Sequence, residues 1–331
     1  MSLQNTDLAA VSTDRALYLY YQQGTEIKEV TSKNGTDWIP TKTPVGDHCK
    51  VNGTSITAYF VVHRGGSDFK GKSTNSLREK IKTVDVEEWK EAPVPSEIKT
   101  QPTEYSKLGR GVCHDQKKGA HQWVFFEQYV PTPFLSPHVL EDRAWYRTPS
   151  DPQSNEWDRF SGERLQVAEL RRASDDSWPW TVRKILPQEA QTALQGTSLA
   201  AHLTDYKTHL YFQEHSGKVV EYLGGYDEWS KPRDLIKKED VEVNTPLAAC
   251  GQATEENPHV FYAGSGTPAK VKHYREGKVK DVVNYWPGTK LSAAVPGDTI
   301  YFFYRQSAHP YGIATMEYDG SSWKQGHDVV G

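Results

Sequence analysis

The chain of 331 residues carries 39 basic and 43 acidic side chains, a net charge of −4, with 36% hydrophobic and 11% aromatic content. The near balance of charge excludes a strongly basic nucleic-acid surface and gives no acidic field for a basic partner. The length is large for one ordinary core, yet all-β barrels and propellers reach it as single domains.

The N-terminal stretch MSLQNTDLAAVS has no basic n-region and no long apolar core. It reads as neither signal peptide nor membrane span, and the expected location is cytoplasmic. Without secretion, the glycosylation-like triplets at Asn34 and Asn52 read as turns. Cys49, Cys113 and Cys250 match no zinc spacing and no disulfide framework, and read as buried free thiols.

LAAV at 8–11 is the first copy of a short motif that returns as LAAH at 199–202, LAAC at 247–250 and, more loosely, SAAV at 292–295. The last three copies are spaced 48 and then 45 residues apart, a period that suits a four-stranded propeller blade. Small residues suit an inner strand crowded round a central axis. In the third unit LGRG, residues 108–111, stands at this place.

An aromatic strand follows each copy. These strands read YLYYQ (18–22), YFVVH (59–63), WVFFEQ (123–128), HLYFQE (209–214), VFYAG (260–264) and YFFYRQ (301–306). Third strands follow as IKEV (27–30), LREKI (77–81), VAELR (167–171), VVEY (219–222), VKHY (271–274) and TMEY (315–318). Tryptophans close the units: Trp38, Trp89, Trp178 or Trp180, Trp229, Trp286 and Trp323. Alternation along each segment and Gly, Asn, Asp and Pro between them argue for strands throughout. At most residues 236–240 form a short helical turn. The expected fold is one all-β domain over 1–331, a six-bladed β-propeller with four-stranded antiparallel blades. The blade limits are 6–45, 46–103, 104–193, 194–243, 244–287 and 288–331. The third unit contains a long insertion, 129–160, whose Phe134, Leu135, Trp145, Tyr146 and Trp157 distinguish it from a plain disordered tract. It reads as a site lid or as an extended blade edge.

These units, carried by YLYYQQGTEIKE (18–29), HLYFQEHSGKVVE (209–221) and the tryptophan after each, resemble the fungal fucose-specific lectins, and the resemblance covers almost the whole chain. It implies sugar sites between blades, each with an arginine before the aromatic pair, a glutamate on the next strand and an aromatic face. A neutral sugar needs such a donor fork, acceptor and apolar platform. Here the arginine place holds Tyr18, Thr57, Trp123, His209, His259 and Tyr301, while glutamate persists as Glu29, Glu221 and Glu317. Loss of every arginine removes the principal donor from each site, and with it the avidity of a multivalent lectin.

The same features are similar to those of the lectin-like hetero-Diels–Alderases of fungal tropolonic sesquiterpenoid biosynthesis. That resemblance implies a cofactor-independent, metal-free pericyclase joining a tropolone-derived ortho-quinone methide to a humulene-type alkene. Such a reaction needs pre-organisation, a donor to the heterodiene and an acid or base for loss of water, not a nucleophile. Arg110 on the third inner strand is the first candidate donor, and His114 and His202 are candidate acids or bases. Each also has a structural reading, as an inter-blade ion pair or a satisfied histidine. Tyr18, Trp123, His209, His259 and Tyr301 line an aromatic cleft or pack blades together. Trp145 and Tyr146 wall a ligand or hold their own loop.

No GxSxG elbow, phosphate loop, HExxH or clustered metal ligand competes with this reading. The adjacent acids Glu87-Glu88 and Asp175-Asp176 point to opposite faces of a strand. The expected partners are therefore small hydrophobic molecules, with no cofactor, no nucleic acid and no membrane insertion. A divergent fucose or glycan lectin is the alternative function, and a scaffold protein the third. The oligomeric state stays open between monomer and homodimer.

Overall fold

The computed structural model describes the chain apart from residues 1–2, 4–5, 14, 48, 50–52, 62–66, 74–76, 83–88, 93–107, 116–118, 132–162, 174–180, 185–192, 205–206, 225–228, 289, 307–311 and 331. In the second and third sheets it describes mainly the backbone. Six four-stranded antiparallel sheets follow one another along the chain. The first contains β1 (Leu8–Ser12), β2 (Leu17–Gln23), β3 (Glu26–Ser32) and β4 (Ile39–Pro40). The second contains β5 (Ile56–Val61), β6 (Ser67–Ser73), β7 (Leu77–Lys82) and β8 (Lys90–Ala92). The third contains β9 (Gly109–Asp115), β10 (Gly119–Pro131), β11 (Glu163–Ala173) and β12 (Thr181–Lys184). The fourth contains β13 (Ala200–Leu203), β14 (Thr208–Gln213), β15 (Val219–Gly224) and β16 (Arg233–Ile236). The fifth contains β17 (Leu247–Cys250), β18 (His259–Gly264), β19 (Lys270–Arg275) and β20 (Lys278–Asn284). The sixth contains β21 (Ser292–Ala294), β22 (Ile300–Arg305), β23 (Ile313–Tyr318) and β24 (Trp323–Val330).

The inner strands close a ring. β1 packs on β5, β5 on β9, β9 on β13, β13 on β17, β17 on β21, and β21 returns to β1. The closing joint is also hydrogen-bonded, with Ser292 Oγ accepting the Ala10 N–H at 2.7 Å. The chain is thus an all-β propeller of six blades, each built from one contiguous segment. Alanines of the recurring motif face the narrow axis, where a cavity of about 70 Å³ is lined by Leu8, Leu108, Leu199, Leu247, Leu291 and their neighbours.

Two side-chain devices join the blades. In the first, Gln22 Oε1 accepts the Thr54 N–H of the next blade at 2.6 Å, and Gln213 Oε1 accepts the Thr245 N–H at 3.3 Å. In the third blade Glu127 takes this place and accepts from Gly196. In the second, a tryptophan stands edge-on against a second-strand aromatic of the preceding blade. Trp89 meets Tyr20, Trp229 meets Phe125, Trp323 meets Phe261, and Trp38 closes the ring on Phe303 at 5.6 Å. At these four joints the tryptophan that ends a repeat in the sequence is an inter-blade wedge.

Two details differ from the sequence reading. YFVVH does not form a second strand: its first three residues complete the inner strand β5, and β6 pairs with it instead. Thr57 is accordingly an inner-strand residue. In the fifth blade Glu276 and Gly277, both at positive φ, make a tight hairpin that brings in β20 directly, so Trp286 lies beyond the fourth strand. The short helical turn expected within 236–240 is present as a 3-10 segment, Lys238–Asp240. Among the described residues no helix is long and apolar enough to cross a membrane. Cys49 and Cys250 are buried, while the side chain of Cys113 lies outside the described residues.

Candidate functional site: two polar clusters between blades

Strand register defines the same rung in every blade. On the second strand it is entered by Tyr18 opposite Val11, Phe69 opposite Tyr59, Trp123 opposite Gly111, His209 opposite His202, His259 opposite Cys250 and Tyr301 opposite Ala294. Two residues further on, the partner across the next strand is Glu29, Glu79, Glu169, Glu221, His273 or Thr315. Four blades thus keep a glutamate at one rung. Glu317 is not among them, because it pairs with Tyr301 itself. Motif matching of TMEY to VVEY displaced it by one pleat.

In the fourth blade this rung is a closed cluster. His209 Nδ1 and the Tyr211 hydroxyl each lie 2.9 Å from Glu221 Oε1, and Arg233 from β16 pairs with Glu221 Oε2 at 2.5 Å. Burial alone would raise the Glu221 pKa, but hydrogen bonds from His209 and Tyr211 and the charge of Arg233 outweigh it and hold it low. The Tyr211 hydroxyl is pushed well above its usual range by burial and by that carboxylate. Ionised Glu221 can only accept, so His209 presents its Nδ1 proton to it. Arg233 is the only member that reaches solvent freely, at 58% side-chain exposure. Tyr274 of the fifth blade packs beside Tyr211 in the same joint.

The fifth blade carries a different cluster at the same rung. His259 is 2% exposed and His273 is 5% exposed. Their rings lie within 4° of parallel, and His259 Nδ1 is 2.8 Å from His273 Nε2. Arg275 Nη1 sits 2.7 Å from His259 Nε2, and its Nη2 donates to Glu255 Oε1 at 3.1 Å. A guanidinium has donors only, so His259 Nε2 carries the lone pair and its Nδ1 carries the proton given to His273. One cation thereby fixes the tautomers of two imidazoles. Burial, reinforced by Arg275 and His202, lowers the His259 pKa to about 4. Burial, then His259 and Arg275, lowers that of His273 to about 3. Both rings are neutral at pH 7. Phe261 of the same blade, and Tyr318 and Trp323 of the sixth, wall the pair. Gly251 completes the site: a Cβ there would meet Glu255 Oε2 at 2.9 Å and His202 Nε2 at 3.2 Å.

The residues nominated from sequence fall into four groups. His202, His209 and His259 lie in these clusters. Tyr18, Trp123 and Tyr301 pack with the apolar cores between blades, and Trp123 and Tyr301 are buried. Arg110 and His114 stand on β9, opposite Val124 and Ala120, with side chains outside the described residues. Trp145 and Tyr146 lie outside the described residues altogether. Sequence reasoning missed Glu79, Glu169, Arg233, Glu255 and Arg275. Register alone finds the first two. Arg275 follows VKHY directly, so a signal for it was present. Among the described residues no group of His, Cys, Asp and Glu is arranged to hold a metal ion.

The six sheets and their ring of inner strands define a six-bladed β-propeller. Solved structures agree. A point mutant of the Aleuria aurantia lectin, in complex with Fucα1-6GlcNAc, superposes with a TM-score of 0.70 at 13% identity, covering 98% of this chain and 96% of the lectin. AofleA of Arthrobotrys oligospora gives 0.72 at 14% identity over 100% of this chain and 88% of its own. The BP39L lectin of Burkholderia pseudomallei gives 0.60 at 11% identity over 99% of each. At these identities the likeness is one of fold. No protein-family model and no curated protein matches the sequence.

Proposed function

We propose that this propeller is a cofactor-independent pericyclase of the hetero-Diels–Alderase type. It would join a tropolone-derived ortho-quinone methide to a humulene-type sesquiterpene in fungal secondary metabolism, with the cleft between the fifth and sixth blades as its site. One observation carries this reading. At the rung where a sugar site needs arginine and glutamate, the fifth blade places a neutral imidazole pair, an arginine at its edge and aromatic walls.

The chemistry asks for little more. The addition forms one C–C and one C–O bond and loses nothing, so no oxidant or metal enters. A cation near the heterodiene oxygen lowers the barrier by stabilising the charge that develops there. Holding both apolar partners in one pose supplies several kcal/mol more. Generation of the quinone methide by loss of water needs a base and an acid, and a neutral imidazole can act as the base. The axial cavity, at about 70 Å³, is too small for these partners, since ordinary small-molecule pockets span roughly 300–1,000 Å³. That favours a cleft between blades.

The test is direct turnover. The chain, mixed with the quinone methide precursor and humulene, is expected to give one dihydropyran stereoisomer faster than buffer alone. Product at the background rate and ratio would overturn the reading. Glycan binding is the second reading, favoured by Glu221 with Arg233, which recombine a carboxylate acceptor and a guanidinium donor from different strands. Calorimetry with L-fucose separates the two. Several saturable sites per chain would establish the lectin, and absence of heat at millimolar sugar would remove it.

A further inference from the structure

We infer that Arg275 is a ligand-operated cap on His259, and that the ligand which moves it is a planar organic monoanion of the tropolonate or aryl carboxylate class. The inference rests on the reading above only in placing the ligand in the cleft between the fifth and sixth blades. The pericyclic step itself is not required.

His259 Nε2 is the one lone pair in the histidine pair that is not used between the two rings. Arg275 Nη1 covers it at 2.7 Å. While covered, it cannot take a proton from a substrate. The cap is held from the other side by Glu255, whose Oε1 accepts from Nη2 and whose Oε2 accepts the Gln252 N–H at 3.0 Å. The guanidinium is not saturated. Its buried Nε makes no hydrogen bond, and the nearest carboxylate, of Glu276, is 3.9 Å away. The arginine is also a third exposed, so an incoming ligand can reach it.

A carboxylate or tropolonate presents two oxygens in one plane, which is the arrangement a guanidinium binds bidentately. Such a ligand competes with Glu255 for the fork. If the fork turns to it, His259 Nε2 is released as a base at the moment the anion arrives. Tyr318 and Trp323, packed edge-to-face with His273, supply the aromatic side of the joint beside which the ring of the anion would lie. A neutral sugar lacks the charge to displace Glu255, so the same device discriminates against it.

The opposing roles of Arg275 and Glu255 give a test with opposite signs. Tropolone is the probe, above its own pKa, titrated calorimetrically into the whole chain. Arg275→Gln is expected to weaken binding tenfold or more. Glu255→Gln removes the competitor and is expected to tighten it severalfold. With 15N-labelled histidine, tropolone should move the His259 Nε2 resonance in the wild type and leave that of His327, exposed on β24, unchanged. Should Arg275→Gln fail to fold, Arg275→Lys keeps the charge without the fork and is still expected to weaken binding. Equal effects of the two substitutions, weaker binding in Glu255→Gln, or an unmoved Nε2 resonance would each overturn the inference. Tropolone binding with these signs but no turnover would sink the pericyclase and leave the cap standing. Turnover that ignores Arg275 would do the reverse.

Discussion

At the scale of single residues, the fifth blade turns on what burial does to imidazole. His259 and His273 are held neutral because their surroundings penalise charge, with Arg275 and His202 adding repulsion at one and Arg275 and Lys280 at the other. The consequence for stability has a definite sign. Both folded pKa values lie below the ordinary 6.5. As pH falls through 6.5 the unfolded chain takes up protons that the folded chain refuses, so stability drops. The loss runs from about 6.5 down to about 4 for His259 and to about 3 for His273, at up to about 1.4 kcal/mol per pH unit for each. The melting temperature of the wild type is therefore expected to fall steeply between about pH 6.5 and pH 4.5. His273→Phe, which keeps an apolar ring in the stack, is expected to flatten that slope. A slope unchanged by the substitution would show that other groups govern acid sensitivity.

At the scale of elements, the joints between blades decide both the fold and its legibility. Trp38 fills the closing joint, donating its indole N–H to Gly35 O at 3.1 Å and meeting Phe303 edge-on. Trp38→Ala removes the wedge, the hydrogen bond and the ring contact together, at a cost of about 2–4 kcal/mol. In a chain of this size that corresponds to a fall in Tm of about 5 °C, whereas Ile39→Thr at the exposed neighbour should shift it by less than about 1 °C. Calorimetric melting of the two variants compares them, and equal shifts would remove the wedge account. Trp38, Trp89, Trp229 and Trp323, the LAA strands and five of the six aromatic strands were readable because each recurs at a fixed place. YFVVH was misread for a physical reason. Ile56-Thr57-Ala58 runs into Tyr59-Phe60-Val61 with no turn residue between, and the true second strand, SDFKGKS, carries charges where its counterparts carry aromatics. The arginines were harder still. Arg233 reaches Glu221 from the outermost strand, as its direct register partner. Nothing along the second strand announces it, because the contact depends on how two strands align and not on spacing within one.

At the scale of the whole molecule, six equivalent rungs have been given unequal contents. A multivalent sugar binder draws its strength from repetition, since linked weak sites raise apparent affinity without new contacts. Here the fourth blade spends its carboxylate on His209, Tyr211 and Arg233, the fifth replaces it with His273, and the sixth has Thr315. Described sites that differ this much favour the proposed reading over avidity gathered from equal sites. The ring can instead use one site and treat the other joints as packing. The neutral histidine pair capped by an arginine occurs in the fifth blade, and Arg233 in the fourth is already ion-paired to a carboxylate inside the sheet. Tropolone titrated into the wild type is therefore expected to saturate at about one molecule per chain. Arg233→Gln should leave that stoichiometry and affinity unchanged, while Arg275→Gln should abolish saturation in the same range. If saturation instead required several equivalents, or if Arg233→Gln removed as much heat as Arg275→Gln, the sites would be equivalent after all. The ring would then be a multivalent binder whose donors moved from the second strand to the outer ones.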